Sequence, residues 1–230
     1  NITFVGCSRW LSGRAKKSYL LRGKAVLSIP NPIDTKVYHP MDQGMARELL
    51  GLPSGKRLLL FGALNVTDKR KGIDYLIEAL RRMEKQDVEL VVFGQVKDDI
   101  RGLFPVPIHS MGYLSDESKI VALYNAVDMF ITSSLEENLP NTIMESMACG
   151  TPCVGFEIGG IPEMIDHRVN GYVANYKDAG DLANGIQWVL EHEDRLALSD
   201  ACVKKVQENY TEEVVAKQYT ALYEKLLKGE

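Results

Sequence analysis

The chain has 230 residues, 45% of them hydrophobic and 25% charged, enough to bury a full core as one large domain or one domain with appendages. A formal net charge of -4 and the lack of a dense basic run paired with aromatics leave no electrostatic footprint for nucleic acid, which is excluded as a partner. No apolar stretch approaches bilayer-spanning length, and the opening Asn1-Ile2-Thr3-Phe4 lacks the charged and apolar regions of a signal peptide, so a cytoplasmic protein is expected.

In chain order, residues 4–27 offer one strand-like fragment, a helix opening at Ser8 and a basic loop, too little to close a domain. Ile29-Pro30-Asn31-Pro32-Ile33-Asp34 follows, and its two prolines force an extended, stiff crossing that reads as an interdomain linker. Apolar runs without alternation at residues 57–62, 88–94, 128–132 and 152–156 suit strands buried on both faces. Between them Ile73, Leu76, Ile77, Leu80 and Met83 share one helical face, and a second helix begins after Ser115, a good N-cap, with Asp116 and Glu117 in its first turn. Strands alternating with helices predict a doubly wound, Rossmann-like parallel α/β sheet. Val215, Tyr219, Leu222, Tyr223 and Leu226 form an apolar stripe on a last helix starting near Thr211, suited to packing outside the sheet. Cys7, Cys149, Cys153 and Cys202 read as reduced, buried small hydrophobes, because no second Cys or His pair completes a zinc pattern.

The segment 133–150 carries the chemistry. It follows the strand ending near Thr132, so it lies at the carboxyl edge of the sheet, where open α/β folds bind ligands. Pro140 suits the first turn of a helix, which leaves the amides of Asn141, Thr142 and Ile143 pointing outward as an anion site fit for a diphosphate. Glu145 lies one turn inside and Glu137 precedes the helix across the same anion site, so one carboxylate would hold a ribose and the other would face the sugar beyond the diphosphate.

Glu137 and Glu145 reproduce the E-x7-E spacing of glycosyltransferase family 4, the "group 1" transferases, and Met147-Ala148-Cys149-Gly150-Thr151-Pro152 is similar to that family's continuation. Gly159-Gly160-Ile161-Pro162-Glu163, Asn170-Gly171-Tyr172-Val173, the stretch from Lys71 to Ala79 and the linker 29–34 resemble further signatures in the family's order. The resemblance implies the C-terminal half of a GT-B enzyme: residues 1–28 as a remnant of an N-terminal acceptor domain, 29–210 as the nucleotide-sugar donor domain, and 211–230 as a helix that packs on the acceptor domain. It implies Glu137 and Lys71 as catalytic residues, with Glu145 on the ribose. Gly62, Arg70, Lys71, Tyr113, Leu139, Asn141 and Thr142 would line the donor nucleotide.

The expected activity is retaining, metal-independent transfer of a sugar from a nucleoside-diphosphate sugar to a hydroxyl of a glycan or lipid-linked acceptor, at the inner face of the membrane in the full-length protein. No cofactor is expected. The alternatives are a nucleotide-sugar-binding module without activity and a nucleotide-sugar epimerase. Ala63 stands where family members carry a diphosphate-pairing Arg after the strand-ending glycine, and Arg70 or Lys69 is the candidate replacement. Asn138-Leu139-Pro140-Asn141 likewise replaces a glycine-bearing stretch. Read blandly, Lys71 is a solvated lysine, Tyr113 packs in the core and Glu163 caps its own helix. His39, His109, His167 and His192 share no ligand spacing, Asp98-Asp99 reads as a helix start rather than a D-x-D metal motif, and neither G-x-G-x-x-G nor G-x-S-x-G occurs.

Overall fold

The structure is a computed structural model that describes residues 2–65, 68–83, 87–95 and 101–228; the Asp98-Asp99 pair lies outside them. Six strands, β3 (Arg57–Asn65), β4 (Val88–Gln95), β5 (Ile108–Gly112), β6 (Met129–Thr132), β7 (Cys153–Phe156) and β8 (Gly171–Ala174), form one parallel sheet. Their order is β5-β4-β3-β6-β7-β8. The chain winds outward from β3 in one direction, returns to β6 and winds outward in the other. The carboxyl ends of β3 and β6 therefore diverge into opposite crossovers and leave a crevice between them.

The doubly wound expectation holds because every residue of β6 and β7 is buried, as a strand covered on both faces requires. Along β3 the period of two sends Leu58 and Leu60 to one face and Leu59 and Phe61 to the other. The first face is covered by α2 (Gln43–Leu50), α4 (Glu117–Ala126), α5 (Asn141–Ala148) and α8 (Arg195–Asn209). The second is covered by α3 (Ile73–Arg82) and α7 (Ala179–Leu190). Ile73, Leu76, Ile77 and Leu80 are buried as their spacing implies, and Met83 stands at the helix C-cap.

Two boundaries differ from expectation. Strand β3 runs past Gly62 to Asn65, through an irregular register against β4. Helix α4 is capped by Asp116, not Ser115: its carboxylate accepts the Ser118 amide at 3.0 Å, and an ionised acceptor makes the stronger bond to an unpaired amide.

The N-terminal stretch holds two strands rather than one. β1 (Thr3–Gly6) and β2 (Ala25–Ser28) pair in parallel through α1 (Arg9–Lys17), whose cap is Ser8 as expected. After α1, Tyr19 and Leu20 are 89% and 82% exposed among the exposed cations Arg14, Lys16, Lys17, Arg22 and Lys24. This is a basic run with an exposed aromatic, which the composition had concealed. The linker is tied down at Ile33, whose amide donates to the Tyr210 carbonyl at 2.8 Å. The last helix, α9 (Glu212–Leu227), packs Val215, Tyr219 and Leu222 on Ile29 and leaves Tyr223 and Leu226 exposed. Cys149, Cys153 and Cys202 are buried, and burial pushes the first two thiols up to about 12, in keeping with inert core residues.

The opposite edge of the sheet is locked by charge. Buried Asp128 accepts the Leu58 amide at 2.7 Å and pairs with Arg47 (3.1 Å) and Arg195 (2.6 Å). Arg47, also buried, donates further to the carbonyls of Ala126, Ser54 and Lys56. Asp128→Ala strands a buried guanidinium, and the expected loss is about 3–5 kcal/mol, read as a lower urea midpoint at unchanged slope.

Candidate functional site

The site sits at the crevice between β3 and β6. After β3 the chain makes a 3-10 turn over Lys69–Lys71, capped by Asp68, and leaves it through Gly72 at φ 64°. A Cβ on Gly72 would stand 2.0 Å from the Ser133 carbonyl oxygen, so only glycine permits this approach. Two hydrogen bonds close the contact: the Leu135 amide donates to the Arg70 carbonyl at 2.7 Å, and Ser133 Oγ to the Lys71 carbonyl at 3.0 Å.

The consequence is a half-buried ion pair, Lys71 Nζ to Glu137 Oε1 at 2.5 Å. Ser134 Oγ donates to the same carboxylate oxygen at 3.0 Å. Among the described residues Glu137 is the ammonium's one ion-pair partner.

The loop then enters α5. Pro140 occupies the cap position rather than the first turn and gives no side-chain cap. The amides of Asn141 and Thr142 have no partner within their helix, and none is found among the described residues. The Ile143 amide, in contrast, returns to the Pro140 carbonyl at 3.1 Å. The open end therefore presents two amides, not the three expected from the sequence.

Glu145 is held by a buried hydroxyl, Tyr124 Oη donating at 2.8 Å. Burial raises its carboxyl above the ordinary 4.5; the Tyr124 bond opposes the shift and Glu117 adds to it. Tyr38 joins the group: burial, then the charges of Glu145 and Glu117, push its phenol up to about 12. The sequence does not single out Tyr38 or Tyr124, and Glu117, in the first turn of α4 as expected, also bears on Glu145. The available signal was the pattern of polar aromatics at otherwise apolar positions.

Other candidates fall as follows. Gly62 lies inside β3, where a Cβ would meet the Phe93 ring at 1.8 Å; that ring contacts Tyr124 edge-on at 6.2 Å and so backs Glu145. Arg70 is 69% exposed and paired with Asp68 at 2.7 Å, while Lys69 is exposed. Tyr113, after Gly112, is 62% exposed and not in the core. Leu139 is buried beneath the loop. Gly159, at φ 60°, approaches the loop so closely that a Cβ there would stand 1.9 Å from the Glu137 carbonyl oxygen, and the Gly160 amide donates to the Asn138 carbonyl at 2.5 Å. Glu163 caps a different helix from its own: it accepts the Arg9 and Trp10 amides of α1 at 2.8 and 2.7 Å. No cluster of His, Cys, Asp and Glu fit for a metal occurs among the described residues.

The fold is that of the Rossmann-like domains of GT-B glycosyltransferases. Sucrose-phosphate synthase from Thermosynechococcus elongatus superposes with a TM-score of 0.82 at 23% identity, over 98% of this chain and 58% of that one. Anabaena HepE, solved with UDP and glucose, gives 0.77 at 18%, over 96% and 63%. The family described as glycosyl transferases group 1 matches residues 55–192, and the chain belongs to it. N-acetyl-alpha-D-glucosaminyl L-malate synthase of Bacillus anthracis is 24% identical over 213 residues, 90% of this chain and 55% of the relative. A glycosyltransferase of Methanocaldococcus jannaschii is 28% identical over 187 residues, 77% and 47%. The chain thus spans about half the length of the curated relatives it matches.

A carboxyl whose folded-state pKa is raised binds its proton more tightly when folded, so stability falls as pH climbs from the ordinary carboxylate range through the raised value. Glu145→Gln removes the charge and keeps an acceptor for Tyr124. Its melting temperature at pH 7 should equal or exceed the unmodified protein's, the gap closing as pH falls toward 4.5; calorimetry across that range checks it.

Proposed function

We propose that the chain is the donor half of a retaining, metal-independent glycosyltransferase that moves a sugar from a nucleoside diphosphate to a hydroxyl of a glycan or lipid-linked acceptor. One observation carries this reading: a single loop at the switch point leads from the Lys71–Glu137 pair directly into the open amides of Asn141 and Thr142, with Glu145 behind them. A diphosphate at that helix end meets two unpaired amides and a nearby lysine ammonium. Glu145 accepts the ribose hydroxyls, and Glu137 faces the donor sugar. Lys71 and the amides stabilise the departing diphosphate without a metal ion, which is electrostatic stabilisation of the kind that dominates such reactions. The departing oxygen takes the acceptor's proton on the face it leaves, and configuration is retained. Gly62, Arg70, Tyr113 and Leu139 surround the nucleotide.

The separation of the β1–β2 pair from the six-stranded sheet supports residues 1–28 as part of an acceptor domain, with 29–210 the donor domain and 211–230 its closing helix. Attachment at the inner face of the membrane is supported by the exposed cations beside Tyr19 and Leu20, and by the lack of any acidic residue before Asp34. No helix among the described residues is long and apolar enough to cross a membrane. The second reading is a nucleotide-sugar-binding module without transfer activity.

Thermal denaturation against UDP, GDP and ADP tests the site. A ligand at about 100 times its Kd adds roughly 2.7 kcal/mol, which in a chain of this size raises Tm by roughly 5–10 °C. One nucleotide should do so, and Lys71→Ala and Glu145→Ala should lose most of the effect. In the full-length protein Lys71→Ala should lower kcat by about 100- to 1000-fold. Transfer at the unmodified rate in that variant refutes the role of Lys71, and nucleotide binding without any transfer by the full-length protein selects the second reading.

A further inference from the structure

We infer that Asn138 is a positioning residue that couples the seat of Glu137 to the first turn of α1. The inference rests on reading Glu137 as the residue that faces the donor sugar.

Every polar group of the Asn138 side chain and its carbonyl is taken, and by two different segments. Its Oδ1 accepts from Ser8 Oγ at 2.5 Å, and its Nδ2 donates to Cys7 Sγ at 2.8 Å. Its carbonyl accepts the Gly160 amide at 2.5 Å. Ser8 Oγ meanwhile accepts the Leu11 amide at 3.0 Å, so one hydroxyl both caps α1 and anchors it to Asn138. The second anchor is Glu163, whose carboxylate takes the Arg9 and Trp10 amides and whose carbonyl accepts from Tyr210 Oη at 3.2 Å.

Asn138 is joined to Glu137 by one planar peptide unit, and the carbonyl of that unit lies against Gly159 with no room for a side chain. The peptide cannot rotate freely, so where α1 holds the Asn138 carboxamide decides where the Glu137 carboxylate points. Leu139, next in sequence, is buried in the core and supplies the packing, whereas Asn138 spends its groups on residues 130 and 131 positions away. A glycine at this position could offer neither the acceptor for Ser8 nor the donor for Cys7.

A positioning role for the sugar end predicts a split between nucleotide and sugar. Calorimetric titration would use the nucleoside diphosphate that stabilises the protein and its glucose ester, with the unmodified protein, Asn138→Ala, Ser8→Ala, the double variant and Asn138→Asp. Asn138→Ala should bind the diphosphate within about twofold of normal and the sugar ester about tenfold more weakly. Ser8→Ala should show the same split, the double variant should be no worse than Asn138→Ala, and Asn138→Asp, which keeps the acceptor for Ser8, should recover part of the loss. Hydrogen exchange should quicken over residues 136–140 in both single variants. Equal weakening of diphosphate and sugar ester would show a merely structural role and overturn the inference, as would unchanged exchange over 136–140 or strictly additive losses. Failure of the unmodified protein to bind any of UDP, GDP or ADP overturns the donor-site reading itself, and this inference with it.

Discussion

Two backbone segments, 70–72 and 133–135, meet across the switch point of the sheet too closely for any side chain between them. The bonds from Leu135 to Arg70 and from Ser133 to Lys71 carry that contact, and Gly72 makes it possible. Everything chemical follows from it. Strands β3 and β6 are neighbours, but their crossovers leave in opposite directions, so nothing in the topology obliges the two loops to touch. Once they are joined, Lys71 and Glu137 pair across the contact, and the chain beyond Glu137 enters α5 with its open amides at the same crevice.

The loop 137–140 is wedged from its other side by Gly159 and Gly160. It is therefore a loop without the freedom of one: both peptide planes flanking Asn138 are fixed by partners remote in sequence. Preorganisation of this kind matters for a site that works by aligned charges, because amides and carboxylates already in place need no reorganisation when charge develops. The cost shows at Glu145, a carboxylate held where burial disfavours its charge and where, among the described residues, a fully buried tyrosine is its one hydrogen-bond donor. Buried carboxylates of this kind cluster at functional sites, which accords with the ribose role proposed for Glu145.

Much of this was legible in the sequence, and what was legible shares one property: it is local. The unbroken apolar run Leu58 to Phe61, the three-and-four spacing of Ile73 to Leu80, and the helix starts at Ser8 and Thr211 depend only on residues within a turn or a pleat. The pair Glu137 and Glu145 was found by spacing along one loop and helix. What stayed hidden depends on side-chain direction and long-range packing. That Asp68, two residues back, pairs with the Arg70 guanidinium is likewise a matter of side-chain direction that proximity in sequence does not reveal. Tyr38 and Glu117 reach Glu145 from separate elements, and Glu163 caps a helix 154 positions away. The Ile143 amide was miscounted because a proline at the cap rather than in the first turn leaves its carbonyl free to accept it.

The ion pair at the centre of the crevice also says how the site responds to charge under the proposed function. Without a ligand, Lys71 neutralises Glu137, and the half-buried pair costs less than either charge alone in the same place. A diphosphate at the end of α5 brings a stronger counter-charge to the ammonium. The lysine then divides its bonds, and Glu137 is left more nearly a bare carboxylate, beside the carbon where positive charge grows as the leaving group departs. Ser134, which donates to the same carboxylate oxygen as Lys71, keeps that oxygen in place as the lysine moves. One cation thus serves the leaving group while its release prepares the opposite charge for the sugar.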